Sequence, residues 1–482
     1  NNFAMYVWEK FNQNAVIALK KANFKTRPNA STGIWACMLI PIALIVSSLK
    51  YQAVSSIYYN LNVIAAIGIS FVNILLIYTI AKKKSTDISL PKKLALAMLT
   101  SLLFWIILKK DWLFSILSGF GIIFSYIYIL PFCLYILPLA FSFGEAAICA
   151  QGVILFIFSA IMNMFDIEFI SCAAPNTNSR ISDTVLQVGI LGIGLIASII
   201  SSFKSIQNSV GFYITSASVI LIAMFPMMHK LLNQSPLIWI LMFMFSSINK
   251  VYVILYWATC VLIAILLMYF QVHKGEKAST ALRKYFHILA VFIYLPGFLF
   301  ECTLLYIATG VVFAIFIILE IMRKLDVWPF GSILQLGFSI YADEKDAAQI
   351  ALSSIYLLVG CTLPIWLHPS PCDLTDSVGF NLLPLLSGIL SVGIGDTMAS
   401  VIGSNFGKHK WSGSNKSVEG TLSNICFQLL FISFLVYSGF IIINYYTIFQ
   451  IVFAIVINAL IEATTDQVDN LVLPIITYIL LL

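Results

Sequence analysis

The chain has 482 residues, 60% of them hydrophobic and 10% charged, with a mean hydropathy of +0.97, whereas soluble domains run about half apolar and about a quarter charged. So few charges cannot cover an aqueous surface at this length, which excludes soluble globular folds, disordered tails and nucleic-acid-binding modules and leaves an all-α polytopic membrane protein. The 27 Lys and Arg against 21 Asp and Glu give a net charge of +6, a topology signal and a source of phosphate contacts rather than evidence for nucleic acid.

Residues 1–32 are polar and basic and read as a cytoplasmic N-terminal segment. The first apolar run, Gly33 to Leu49, is followed by no small-residue cleavage site, so it reads as a retained span. Apolar runs of spanning length then recur to the end of the chain, about fourteen or fifteen helices in all. Trp112 to Phe165 is nearly continuous, interrupted only by Pro131, Pro138 and Gly144. The last run, Leu471 to Leu482, falls short of the roughly 20 residues that cross about 30 Å of hydrocarbon, and with Asn1 as the first residue the sequence reads as trimmed at its ends. Nine scattered cysteines without a CxxC predict neither a metal cage nor a disulfide framework. There is no clean internal repeat.

The division into parts follows the polar residues. Residues 33–270 form an N-terminal transmembrane bundle with few reactive groups, and residues 271–482 concentrate theirs in four breaks: Gln271 to His287, Arg323 to Gln349, Gly403 to Glu419, and Glu462 to Asn470. One helix pair between successive breaks puts all four on one side. From Gln271 onward every Lys and Arg falls in the first three breaks, and none in the connections near Glu301, His368 to Phe380 and Ser438. The positive-inside rule makes the polar face cytoplasmic.

The most informative stretch is GIGDTMASVIGSNFGKHKWSGSNKSVEGT, Gly393 to Thr421. Asp396 ends an apolar run, where an isolated carboxylate costs roughly 2.5 to 3.5 kcal/mol at mid-helix and so requires a partner or a function. Gly393, Gly395, Gly403 and Gly407 allow close backbone approach, Lys408, Lys410 and Lys416 supply cations, Ser412, Ser414 and Ser417 supply hydroxyls, and Glu419 closes the segment. These are the parts needed to hold a triphosphate with Mg²⁺, which takes one or two protein carboxylates plus phosphate oxygens. The bland account is close helix packing by the glycines beside lysines that flank a span. Neither a Walker A loop nor GxGxxG is present.

This stretch resembles the signature of the CTP-dependent polyprenol kinase family, whose members act on dolichol, phytol or diacylglycerol. The resemblance extends to Arg283, Lys284 and His287 in RKYFH, to Glu320 and Arg323 in EIMR, and to the acidic run Glu462 to Asp469, covering about residues 271 to 475. The long multi-span first half is similar to the dolichol-phosphorylating branch. The resemblance implies transfer of the γ-phosphoryl group of CTP to dolichol at the cytoplasmic face of the endoplasmic reticulum, with membrane lipid and CTP as partners and Mg²⁺ as cofactor. It implies Asp396, Lys416 and Glu419 as catalytic residues. The expected CTP contacts are Gly395, Thr397, Ser400, Gly403, Gly407, Lys408, Lys410, Gly413, Ser414, Ser417, Arg283, His287 and Arg323. The expected metal ligands are Asp396, Glu419, Asp466 and Asp469.

Three further readings come from spacing. Glu462, Asp466 and Asp469 share a face if one helix runs through them. Glu320 and Arg323, three apart, are equally well explained as an intrahelical ion pair. Glu145, a carboxylate in a long apolar region, either binds the lipid hydroxyl or pairs within the first half. A phospholipid cytidylyltransferase, a kinase of another lipid alcohol and a transporter are the rival functions. A transporter would carry its charges near mid-membrane between repeated halves.

Overall fold

The structure, a computed structural model, describes residues 2–28, 30–83, 85–164, 177–342, 350–370, 372, 382–411, 414 and 416–482. Helix α1 (Asn2–Lys21) precedes a 3-10 turn at Ile34–Met38 and α2 (Leu39–Lys50). There follow α3 (Ile57–Lys83), α4 (Leu90–Leu108), α5 (Trp112–Ile136), α6 (Phe143–Met164) and α7 (Thr177–Ser202). Helices α8 (Ser209–Ser218) and α9 (Phe225–Leu232) flank a π turn, and α10 (Pro236–Met244) is short. The remainder comprises α11 (Ile248–Lys274), α12 (Thr280–Phe300), α13 (Cys302–Lys324), α14 (Gly331–Tyr341), α15 (Leu352–Leu367), α16 (Leu382–Leu385), α17 (Thr397–Phe406), α18 (Val418–Tyr437), α19 (Tyr445–Thr464) and α20 (Asp469–Leu481). A π-helix, Ile389–Asp396, leads into α17.

Among the described residues, eleven helices are long and apolar enough to cross a membrane, and three shorter apolar ones cover Ile34–Lys50, Leu352–Leu367 and Asp469–Leu481. The helix starts follow from local chemistry. Asp111, Asn208, Ser247, Ser279, Ser417 and Asn444 each accept a backbone N–H two or three residues ahead and so cap α5, α8, α11, α12, α18 and α19. Gly275 ends α11 at φ 66°, a left-handed conformation that glycine adopts without strain. The Trp112 to Phe165 stretch resolves into two helices, because the chain between Ile136 and Phe143 turns back through Leu137 to Ser142.

Three buried clusters hold the bundle together among the described residues, the smallest joining Ile196 and Ile200 of α7 to Phe212 of α8 and Met322 of α13. Of the larger two, one joins α2, α3, α5 and α6 and extends to Leu352 and Tyr356 of α15 and to Leu471, Val472, Ile475 and Tyr478 of α20. The other packs α12, α13, α15, α18 and α19 around Leu386, Ile389 and Leu390. Helix α20 thus crosses the expected division near residue 270: its apolar body lies in the first bundle's core while its first residues face the second. Among helices with little aqueous driving force, close contact depends on small residues. A Cβ at Gly360 of α15 would stand 1.8 Å from the Asn470 carbonyl oxygen, so only glycine lets α15 touch the start of α20 here.

Contacts between the polar breaks gather at one end. Ala278 N–H donates to Ile340 O at 3.0 Å, linking the first break to α14 within the second, and the Lys416–Glu462 ion pair links the third to the fourth. At the opposite end, Ser247 Oγ donates to Glu301 at 2.8 Å and Ser370 Oγ to Val54 O at 3.4 Å. A disulfide joins Cys302 and Cys372 there, across 70 residues. That corrects the expectation of no disulfide: the two thiols lie far apart in sequence, and only the antiparallel return of α15 brings them to a Cα separation of 5.3 Å.

Candidate active site

The π-helix is the element that delivers Asp396. Such turns widen the helix and re-aim side chains, often at functional sites. Gly393 and Gly395 let it wedge between two neighbours: a Cβ at Gly393 would meet Val291 Cγ2 at 2.5 Å, and one at Gly395 would meet Gln428 Nε2 and Asn424 Oδ1 at 2.6 and 2.7 Å. The buried Asp396 carboxylate receives an ion pair from Lys284, and His287 Nε2 lies 3.5 Å from the same oxygen. Lys284 and His287 are three apart on α12 and share its face. Thr397 Oγ1 is buried here without a hydrogen-bond partner.

The stretch after α17 folds back on α18. Lys410 and Ser417 form an antiparallel bridge, Val418 N–H donates to His409 O at 2.8 Å, and Trp411 Nε1 donates to Thr421 Oγ1 at 2.9 Å. Glu419 closes this return: it accepts the His409 amide at 3.1 Å and contacts the ring Nδ1 at 2.7 Å. Gly403 and Gly407 face Ser417, where a Cβ on either would stand 2.9 Å or less from protein atoms. Their space is filled by packing of α17 on α18. Lys408 and Lys410 are exposed, Ser400 and Ser414 half-buried, and Ser417 spends its hydroxyl on capping α18. Lys416 turns inward instead, pairing with the buried Glu462 carboxylate at 2.7 Å and with its carbonyl oxygen. Ser412, Gly413 and Asn415 lie outside the described residues, as do Asp343 to Gln349.

The C-terminal acids do not share one helix face, because α19 ends at Thr464 and α20 begins at Asp469. Glu462 is buried and paired, and Asp466 is exposed, with its carbonyl oxygen accepting from Arg27 at 2.9 Å. Asp469 and Asn470 approach His287. Asn470 is buried, and its Oδ1 has no partner.

The structure therefore brings together Lys284, His287, Asp396, Asp469 and Asn470, with the Lys416–Glu462 pair within electrostatic reach of Asp396 and Asp469. Arg283 is half-buried one residue before Lys284. Arg323 lies in the last turn of α13. It pairs with Glu320 at 2.6 Å, donates to Gln335 at 2.6 Å and lies 4.0 Å over the Phe338 ring, as the intrahelical-pair reading has it. Glu145 is fully buried and has its partner in Arg27, at 2.6 Å. The sequence reading names Lys284 in RKYFH without a role of its own and gives Asn470 none. The signal for the first was available: a carboxylate at membrane depth needs a cation, and Lys284 stands at helical spacing from His287.

Among the described residues no three His, Cys, Asp or Glu side chains are grouped so as to hold a metal ion. The acidic oxygens of Asp396 and Asp469 nevertheless suit a hard cation that arrives already bound to phosphate, since Mg²⁺ uses one or two carboxylates in such sites.

The dolichol kinase family model matches residues 2–356. The chain is similar to the dolichol kinase of Mus musculus, with 30% identity over all of this chain and 90% of the relative, and to that of Homo sapiens, with 29% identity over the same shares. A dolichol kinase of Arabidopsis thaliana is 34% identical over 52% of this chain and 43% of its own length. No solved structure matches.

Proposed function

The chain belongs to the dolichol kinase family, and from that premise we propose that it transfers the γ-phosphoryl group of CTP to the terminal hydroxyl of dolichol, at the cytoplasmic face of the endoplasmic reticulum, giving dolichyl phosphate for protein glycosylation. The observation that carries the reading is the Asp396 carboxylate, buried at the end of an apolar helix yet held between Lys284 and His287. An aspartate so placed has a partner and lies within reach of water-borne phosphate and membrane-borne alcohol.

In this reading the alcohol oxygen attacks the γ-phosphorus, the bond to the β-phosphate bridging oxygen breaks, and CDP leaves. The hydroxyl proton passes to Asp396, which also orients the alcohol. Phosphoryl transfer asks a protein mainly for positioning and charge neutralisation. Lys284, Lys416 and Arg283 supply that charge, and Lys408 and Lys410, exposed at the rim, attract the nucleotide. Asp396 and Asp469 would hold Mg²⁺, which would supply further neutralisation of phosphate charge. Residues 33–270 form the lipid-groove region and 271–482 the kinase region, with α20 shared between them. The Cys302–Cys372 disulfide supports the topology, because such bonds persist on the oxidising, lumenal side, opposite the lysine-rich end.

The experiment is a transfer assay on purified protein with labelled CTP or ATP and a panel of lipid alcohols. CTP-dependent phosphorylation of dolichol with release of CDP is expected. Release of pyrophosphate would make the protein a cytidylyltransferase, and equal catalytic efficiency on a short soluble alcohol would remove the case for a lipid groove.

A further inference from the structure

Arg27 lies in the stretch between α1 and the 3-10 turn, 8% exposed and far in sequence from the site. Its amide donates to Phe141 O at 2.8 Å, and its guanidinium bonds Glu145 at 2.6 Å and the Asp466 carbonyl at 2.9 Å. Glu145, at the start of α6, uses both carboxylate oxygens: Oε1 also accepts the Val468 amide at 2.8 Å, and Oε2 accepts the Ser142 amide at 2.8 Å. Between these two anchors Gln467 reaches the other way, donating to Ser31 O at 3.0 Å and Ser31 Oγ at 3.1 Å, while its carbonyl oxygen accepts from Ser142 Oγ. The segments are pressed together as well. Gly33, at φ 64°, leaves no room for a Cβ beside Gln467, and a Cβ on Gly144 would stand 1.9 Å from Gly33 O.

Residues 466–468 are therefore gripped by two N-terminal segments, and they form the connection between Glu462, which pairs with Lys416, and Asp469 and Asn470, which face His287. A buried ion pair is weak evidence for stability, because desolvation opposes the Coulomb gain. Here both ions spend bonds on the backbone of one short connection, an arrangement that specifies conformation.

We propose that Arg27 and Glu145 are positioning residues for phosphoryl transfer: the pair fixes the 466–468 connection and through it the placement of Asp469 and Asn470 beside His287. This rests on the reading of that cluster as the nucleotide side of the active site. It takes Glu145 away from the lipid hydroxyl and makes the N-terminal half a structural part of nucleotide binding.

The test uses the full chain in phospholipid–detergent micelles and compares half-saturating CTP, Mg²⁺ and dolichol in Glu145→Gln, Arg27→Lys and Gln467→Ala. Glu145→Gln keeps the size and removes the charge. It is expected to raise half-saturating CTP and Mg²⁺ about tenfold with dolichol unchanged, and Arg27→Lys, which keeps the charge, to raise them less. Gln467→Ala uncovers no buried ion, so it reports on the connection even where Glu145→Gln fails to fold; its CTP and Mg²⁺ dependence should shift in the same direction. Unchanged nucleotide and Mg²⁺ dependence in folded variants, or a rise for dolichol alone, overturns the proposal. A purely structural role would lower the active fraction without moving these constants. If the parent protein uses another nucleotide, the functional reading fails, and the same comparison run with that nucleotide still decides the role of the pair.

Discussion

Lys284 on α12 donates to the Asp396 carboxylate across 112 residues of chain, and His287, one turn further along the same helix, faces the same oxygen. The pattern repeats. Glu462 has Lys416, Glu145 has Arg27, and Glu320 has Arg323. Each of these carboxylates is thus paired, and only the Glu320 pair is local in sequence. Lone charges at membrane depth are too costly to persist, so the pairing holds distant segments in one arrangement.

Asp396→Asn keeps the shape of the side chain while removing the charge that meets Lys284 and His287. Turnover should fall about 10²- to 10³-fold, the scale of losing one electrostatic stabiliser, with the fold intact. Lys284→Met leaves the buried carboxylate without its cation and should destabilise the protein by about 3–5 kcal/mol. The double variant should recover stability and not activity, a non-additivity expected of groups in direct contact. Melting followed by size exclusion, beside initial rates, checks both; near-normal turnover in folded Asp396→Asn would remove the aspartate from the chemistry.

Asp469 and Asn470 approach His287, whereas the Asp466 carboxylate is exposed and only its carbonyl is engaged. Asp469→Asn and Asn470→Ala should therefore raise half-saturating CTP or Mg²⁺, and Asp466→Asn should leave them unchanged. Gly360→Ala should act like the first two from a distance, because its new methyl must push the Asn470 carbonyl away from 1.8 Å. Equal behaviour of the Asp466 and Asp469 variants would return these acids to a single solvated cluster.

How far the sequence spoke is visible in these same residues. Composition was enough for an all-α membrane bundle, and hydropathy runs located the spans, because a spanning helix needs only length and apolarity. Asp396 stood out because an acid in an apolar run is rare. Its partner did not, since pairing between α12 and the π-helix is set by tertiary packing. The i, i+4, i+7 spacing of Glu462, Asp466 and Asp469 suggested a shared face, but a helix break at Thr465 to Val468 cannot be read from periodicity when Arg27 and Glu145, hundreds of residues away, hold the broken conformation.

Single cysteines at Ser279, Ser339, Ser414 and Thr465, in a background lacking the seven cysteines outside the disulfide, should label from the cytoplasm, and one at Ser370 from the lumen. Ser370 lies two residues from Cys372, so non-reducing and reducing peptide maps should also find Cys302 joined to Cys372. Labelling of Ser279 and Ser414 from opposite sides would end the single-face arrangement, since Lys284 and Asp396 could not then meet.

His368 lies just beyond α15 at the disulfide-bearing end, its ring centroid 4.5 Å from that of Tyr51 and its Nδ1 accepting the Ser370 amide at 3.2 Å. Burial, aided by the Lys50 charge, lowers its pKa to about 4. A base lowered in the fold stays neutral there. Its contribution is complete above the unfolded value of about 6.5 and is lost as pH falls toward the folded value, where unfolding takes up a proton that the native state refuses. The parent protein should lose up to about 3 kcal/mol of stability between pH 6.5 and 4 from this group. His368→Asn, which keeps an acceptor for Ser370, should flatten that part of the profile. Thermal unfolding across the range, with the lysine-rich end left unaltered, measures the difference. Parallel pH profiles for parent and variant would mean that His368 protonates in place and that burial at this end is shallower than the ring contacts imply.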